Sequence, residues 1–225
     1  MSRGGATSSV IINTLHRPDG RRLKAMSTFI TEQKPLVLHF EAVLRKLDDD
    51  DFFEFCQANR DVRIERTKNG DLIILPPTGG KTGGRNFYLT AKFGVWVEAD
   101  GTGKGFDSST GFTLPNGVER SPDVAWVRRE RWDALTAKEQ ARFPPLCPDF
   151  VIELRSRTDS LAALQEKMQE YIENGAQLGW LIDPAARKVY RYRPGVPIEQ
   201  LDNPEHISGD PLLPGFILNL APLWE

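Results

Sequence analysis

The run from Cys147 to Arg193, CPDFVIELRSRTDSLAALQEKMQEYIENGAQLGWLIDPAARKVYRYR, constrains the fold more than any other part of the chain. Its apolar run Phe150–Leu154 predicts a strand, and Leu161–Asn174 predicts a helix stopped by Gly175. Two further strands are expected over Gly179–Ile182 and Lys188–Arg193. Within this apolar frame one carboxylate, Glu153, interrupts the first strand, and Lys167 sits on the helix. Upstream lies a second short apolar run, Ser121–Val127 (SPDVAWV), which opens on Asp123.

Strand side chains alternate between faces. In residues 149–155, Asp149, Val151, Glu153 and Arg155 therefore share one face, and Phe150, Ile152 and Leu154 the other. In Ser121–Val127, Asp123, Ala125 and Val127 share a face. If the two strands are neighbours, Asp123 and Glu153 converge. Buried carboxylates cost several kcal/mol unless paired, hydrogen-bonded or metal-bound. Two that converge repel each other, and a hard, oxygen-preferring cation such as Mg²⁺ resolves the conflict. The plainer alternatives are that Glu153 pairs with Arg155 or another arginine, and that Asp123 is a turn residue after Pro122.

On a helical wheel with Leu164 as origin, Leu161, Met168, Tyr171 and Ile172 fall within about 100° of one another and form the predicted buried stripe. Lys167 lies about 90° from the stripe's centre, at its edge, while Glu166 and Glu170 lie on the far side. A boundary lysine can reach toward a site at the sheet end or snorkel to solvent. Paired carboxylates with a nearby cation are what metal-dependent phosphodiester cleavage requires, and nuclease is the leading expectation.

The rest of the chain frames this unit. Residues 1–33 carry Gly, Ser, Thr and Arg with little periodicity and are expected to be a flexible extension, with Met26 an alternative start. Residues 34–225 are expected to form one domain. Asp48–Asp51 suit the positive end of a helix dipole and are read as a solvated helix start. Arg63–Arg66 and Leu72–Leu75 flank an Asn69-Gly70 hairpin signal. Pro76–Gly84 reads as a loop, and its Gly-Gly-Lys-Thr is no phosphate loop, because that motif needs glycine where Leu75 stands. A helix is expected over Arg85–Glu98, then strands over Gly105–Leu114 and Ser121–Val127 joined at Pro115-Asn116-Gly117. Residues 128–142 are polar and suit short helices or a loop. The apolar tail, LLPGFILNLAPLWE, should pack on the body or on a partner. The order predicts an α/β or α+β domain with a mixed sheet.

A net charge of −2 and a pI near 6.0 exclude a uniformly basic surface, so any nucleic-acid contact must be local or metal-assisted. Lys81, Arg85, Arg155 and Arg157 are the basic residues that could grip a phosphate backbone. The two cysteines, Cys56 and Cys147, fit neither a disulfide framework nor a zinc pattern, which points to a reducing cytoplasm. No apolar run approaches the roughly 20 residues of a membrane span.

SPDVAWV, PDFVIELRSRTDS, KMQEYIENGAQLGWLIDP, GFDSSTGFTLPNG and LPGFILNL together resemble the Uma-type restriction-endonuclease-like family, a branch of the PD-(D/E)XK nuclease superfamily. The resemblance runs from about Val62 to Trp224. It implies a restriction-endonuclease-like core, with Asp123 and Glu153 as ligands of Mg²⁺ or Mn²⁺ and the Leu154 carbonyl as a third. It also puts Arg155 where the superfamily's E-x-K lysine stands. Arginine can stabilise negative charge but is effectively never deprotonated and cannot act as a base; Lys167, on the following helix, is the other candidate for that lysine's role. Asp107 is a weaker metal ligand or a turn residue, and Glu65 an auxiliary residue or a salt-bridge partner on an exposed strand. The implied activity is cleavage of nucleic acid, DNA before RNA, by a homodimer. A degenerate fold that binds without cutting, or a hydrolase of another small substrate, are the rival expectations.

Overall fold

The computed structural model describes residues 36–38 and 48–225. The expected extension over 1–33, with Met26, lies outside the described residues. Asp48 caps the first helix among the described residues, α1 (Asp49–Ala58), by accepting the Asp51 amide at 2.8 Å, so the acidic run is a helix start as its composition predicts.

Two antiparallel strands follow, β2 (Arg63–Arg66) and β3 (Leu72–Leu75), with β1 (Leu36–Leu38) on the far edge of β3. Gly70, at φ 84°, makes the turn between them. Helix α2 (Gly80–Asp100) starts five residues before the expected Arg85. The glycines at 80, 83 and 84 read as a loop in sequence, yet the Gly83 amide already bonds the Gly79 carbonyl at 2.9 Å. Gly101, at φ 70°, ends the helix in the left-handed conformation.

The expected strand over Gly105–Leu114 is two. Strand β4 (Gly103–Asp107) pairs with β7 (Val124–Arg128), whereas β5 (Phe112–Thr113) pairs with β6 (Glu119–Arg120) in the other sheet. The break is a turn in which Asp107 Oδ1 accepts both the amide and the hydroxyl of Ser109. Two short helices, α3 (Arg129–Asp133) and α4 (Ala137–Ala141), occupy the polar stretch. Strand β8 (Phe150–Leu154), helix α5 (Leu161–Glu173), β9 (Leu178–Asp183) and β10 (Lys188–Tyr192) then follow as expected. The remaining strands, β11 (Glu199–Asp202), β12 (His206–Ser208) and β13 (Ile217–Asn219), carry no strong alternation and were not anticipated.

The central sheet has the order β11-β10-β9-β8-β7-β4, and only β8 and β9 run parallel, joined by α5. A parallel pair needs such a crossover. One face, with Val124, Trp126, Phe150, Ile152 and Trp180, packs on Leu89 and Phe93 of α2. The other, with Ala125, Val127, Val151 and Leu181, packs on Met168 and Tyr171 of α5 and on Phe112. The C-terminal tail lies on the α2 face: Phe216 stacks on Trp180 with centroids 5.7 Å apart, and Leu213, Leu218 and Leu223 are buried. These apolar residues thus pack on the chain itself. No helix among the described residues is long and apolar enough to cross a membrane.

Candidate active site

Strands β7 and β8 are antiparallel with Val124 opposite Ile152 and Ala125 opposite Val151. One step further, this register sets Asp123 opposite Glu153 on the face that carries Ala125 and Val151, the face α5 covers. Pro122, with its fixed φ, leads directly into Asp123. Both carboxylates are buried, Asp123 at 8% and Glu153 at 4% exposure. Asp123 Oδ2 accepts the Leu154 amide at 2.8 Å, so Leu154 meets the site through its N–H. Burial raises the Asp123 pKa; the Leu154 amide, then Arg63 and Lys167, work against it.

Helix α5 supplies the cation. Lys167 Nζ lies 2.8 Å from Glu153 Oε1 and 2.9 Å from Glu65 Oε1. One turn along, the Tyr171 hydroxyl donates to the same Glu153 oxygen at 3.0 Å. Burial opposes charge on Lys167, but Glu153 and Glu65 outweigh it and raise its pKa, so it is an ammonium. Burial pushes the Glu153 carboxyl up to about 7, against the pull of Lys167 and with added repulsion from Asp123. The boundary position on the wheel therefore points inward, and Lys167 is not a solvated lysine.

Glu65 is buried in β2, in place of the exposed strand position expected for it. It accepts the Ser121 amide at 3.1 Å and lies 3.6 Å from Arg120. Burial would raise its pKa, but Lys167 and Arg120 hold it below the usual carboxylate range. Arg120 also bonds Glu170 at 2.7 Å, so the helix face expected to be solvated is tied to β6. A row of alternating charges, Glu170–Arg120–Glu65–Lys167–Glu153, runs from the rim of α5 into the site.

Two sequence candidates are engaged elsewhere. Arg155 bonds Asp183 at 2.6 Å and the Asp159 carbonyl at 3.1 Å. Asp107 closes its turn with Ser109, and its register partner is Val124, on the α2 face, away from Glu153. Two residues at the site were not singled out in sequence. Asn86 of α2 donates from Nδ2 to Asp123 Oδ1 at 3.3 Å, and Arg63 lies 4.0 Å from the same oxygen. A polar side chain on a helix face otherwise built from Leu89 and Phe93 was the available signal for Asn86.

Among the described residues no group of three His, Cys, Asp or Glu side chains is arranged to hold a metal ion. A Mg²⁺ ion needs less: one or two carboxylates, with water and substrate oxygens completing its shell. Asp123 and Glu153 supply two, and Oδ1 of Asn86, whose amide nitrogen bonds Asp123, is buried without a hydrogen-bond partner. The donor set is all oxygen, and it fits a hard divalent ion.

None of the curated proteins compared with the chain matches it. Among solved structures, the chain is similar to the crystal structure of "a putative nuclease belonging to DUF820" from Anabaena variabilis ATCC 29413. The TM-score is 0.62 at 21% identity, over 72% of this chain and 89% of that one, which establishes a shared fold. Residues 49–221 match Uma2, described as "Putative restriction endonuclease", and the chain belongs to that family.

Proposed function

We propose that this chain is a metal-dependent endonuclease that hydrolyses phosphodiester bonds, in DNA before RNA. One observation carries the reading: Asp123 and Glu153 face each other on adjacent strands with the Lys167 ammonium 2.8 Å from Glu153. When bound, Mg²⁺ or Mn²⁺ would polarise the phosphate and lower the pKa of a water ligand. Asp123, Glu153 and the Asn86 carbonyl oxygen would hold it. Lys167, aimed by Glu65, would stabilise charge building on the phosphate in the transition state. Tyr171 orients Glu153, and the Leu154 amide fixes Asp123. Arg155 takes no part in this reading, because Asp183 holds it.

The family's description as restriction endonuclease favours DNA. Arg157 is exposed and available to phosphates, Lys81 is exposed on α2, and Arg85 bonds the Glu225 carbonyl at 2.5 Å. Cys56 and Cys147 are both free thiols, which suits a cytoplasmic protein. Cutting both strands of a duplex calls for two sites, which a homodimer supplies.

Purified protein should relax and linearise supercoiled plasmid with Mg²⁺ or Mn²⁺, and Asp123→Ala and Glu153→Ala should abolish this. One observation favours the second reading, a fold that binds without cutting: Glu153 Oε1 is engaged by both the Lys167 ammonium and the Tyr171 hydroxyl. Retained DNA binding with no cleavage in either ion would select it.

A further inference from the structure

Helix α2 turns Leu89 and Phe93 into the core, and its outer face is unusual. Gly80, Gly84, Phe87, Ala91, Gly94 and Glu98 follow one another at alternating spacings of four and three. At 100° per residue they lie within about 80° of one another, opposite the buried side. That spacing is the seam of a helix pair. Phe87 is 76% exposed, more than any other large hydrophobic among the described residues, and Val95 beside the seam is 68% exposed.

Nothing inside the chain calls for glycine at position 94. It lies in mid-helix, and a Cβ there would meet no atom within 4 Å. A glycine at such a site costs about 1 kcal/mol relative to alanine. Beside it opens a groove of about 380 Å³ between α2 and β4, floored by Phe93, Val97, Phe106 and Val124, with Asp107 and Thr110 among its polar lining. An exposed aromatic knob and an open, mainly apolar groove thus lie on one helix.

The geometry points to a two-fold homodimer in which α2 packs antiparallel on α2 of a second copy, Phe87 of each entering the groove at Gly94 of the other. Setting Phe87 against the second copy's Gly94 places the axis between residues 90 and 91, so the reverse contact follows by symmetry. Charge agrees with this direction. Lys81 lies toward the N-terminal end of α2 and Glu98 toward its C-terminal end. The antiparallel register brings Lys81 within ~3 Å, along the axis, of the second copy's Glu98. Neither Lys81 nor Glu98 has an ion-pair partner among the described residues. The two copies of Asn86 would be offset by ~13 Å along the helix axis. The proposal rests on the homodimer part of the function proposed above, and not on catalysis.

Sedimentation velocity on the full chain at micromolar concentration should give twice the 25.3 kDa chain mass. Phe87→Glu and Gly94→Glu, both on exposed positions, should each weaken the dimer about tenfold or more while circular dichroism stays unchanged. Lys81→Glu should weaken it, and Lys81→Glu with Glu98→Lys should restore it. Oxidised Ala91→Cys protein should cross-link to itself. A wild-type monomer, or a dimer that Gly94→Glu leaves intact, overturns the proposal. Dimerisation with the expected mutant pattern but without plasmid cleavage supports the interface and counts against the nuclease reading alone.

Discussion

Lys167, on a helix, holds Glu153, on a strand, at 2.8 Å, and the two stand 14 residues apart, one on an interior strand of the sheet and the other midway along the helix that crosses over from it. The contact depends on helix rotation as much as on sequence distance. A shift of one residue in the α5 stripe would swing Lys167 away by about 100°. Met168 and Tyr171, buried to 0% exposure, fix that rotation. The ion pair is therefore a consequence of core packing, and mutations that loosen the stripe should disturb the site before they unfold the chain.

Removing the ammonium tests its structural share. In Lys167→Met, two buried carboxylates lose their shared cation, which should cost about 3–5 kcal/mol at neutral pH. The double variant Lys167→Met/Glu153→Gln should recover part of this. Urea denaturation reads both. A loss under about 1 kcal/mol would mean that Glu65 and Glu153 are supported by other contacts.

The pH dependence has a defined sign. Glu153 is raised by burial from its ordinary 4.5 to about 7, so the folded protein binds this proton more tightly than the unfolded chain. Its contribution to stability is complete below about 4.5 and is lost as pH rises through about 7. Melting temperatures of metal-free wild type should therefore fall relative to Glu153→Gln across that window. A difference that is flat, or that grows with pH, would show that the carboxyl is not raised.

Metal affinity should respond to the residues around the two carboxylates. Tyr171→Phe, which removes a group that orients Glu153, and Asn86→Ala, which removes an oxygen ligand, are each expected to weaken Mn²⁺ binding about 10-fold or more. Calorimetric titration measures this without a nuclease assay. Equal affinities in all three proteins would remove Asn86 and Tyr171 from the site.

Arg155 and Lys167 separate cleanly. Arg155 covers Asp183, which is 1% exposed. Arg155→Met should destabilise the fold while leaving turnover on plasmid little changed, whereas Lys167→Met should lower turnover about 100-fold or more. The reverse ranking would return the catalytic cation to the E-x-K position.

The β8–α5–β9 unit and the face shared by Asp123 and Glu153 were legible because period-2 and period-3.6 patterns are local properties of the chain. Glu65, Asn86 and Arg120 were harder to place. Glu65 sits in a separate sheet, and nothing local says that β2 approaches α5. The split of Gly105–Leu114 between two sheets was hidden for a related reason. Its break is a turn closed by one aspartate, and a strand pattern runs through it almost undisturbed. The glycine-rich start of α2 reads as a loop because propensity favours one there, while the tertiary contacts of Leu89 and Phe93 carry the helix.

The tail that covers the α2 face has a kinetic meaning as well. Phe93 and Phe216 meet at 5.1 Å although 123 residues separate them, whereas α5 seals its own face with neighbours from β8 and β9. Closing so long a loop carries an entropy cost before any contact rewards it. The site side of the sheet can thus assemble from nearby parts, and the opposite side waits for the tail. Until residues 213–223 dock, the chain presents Trp180 and the tail-facing sides of Phe93 and Trp96 to water. That interval is where this protein would be most prone to aggregate during folding.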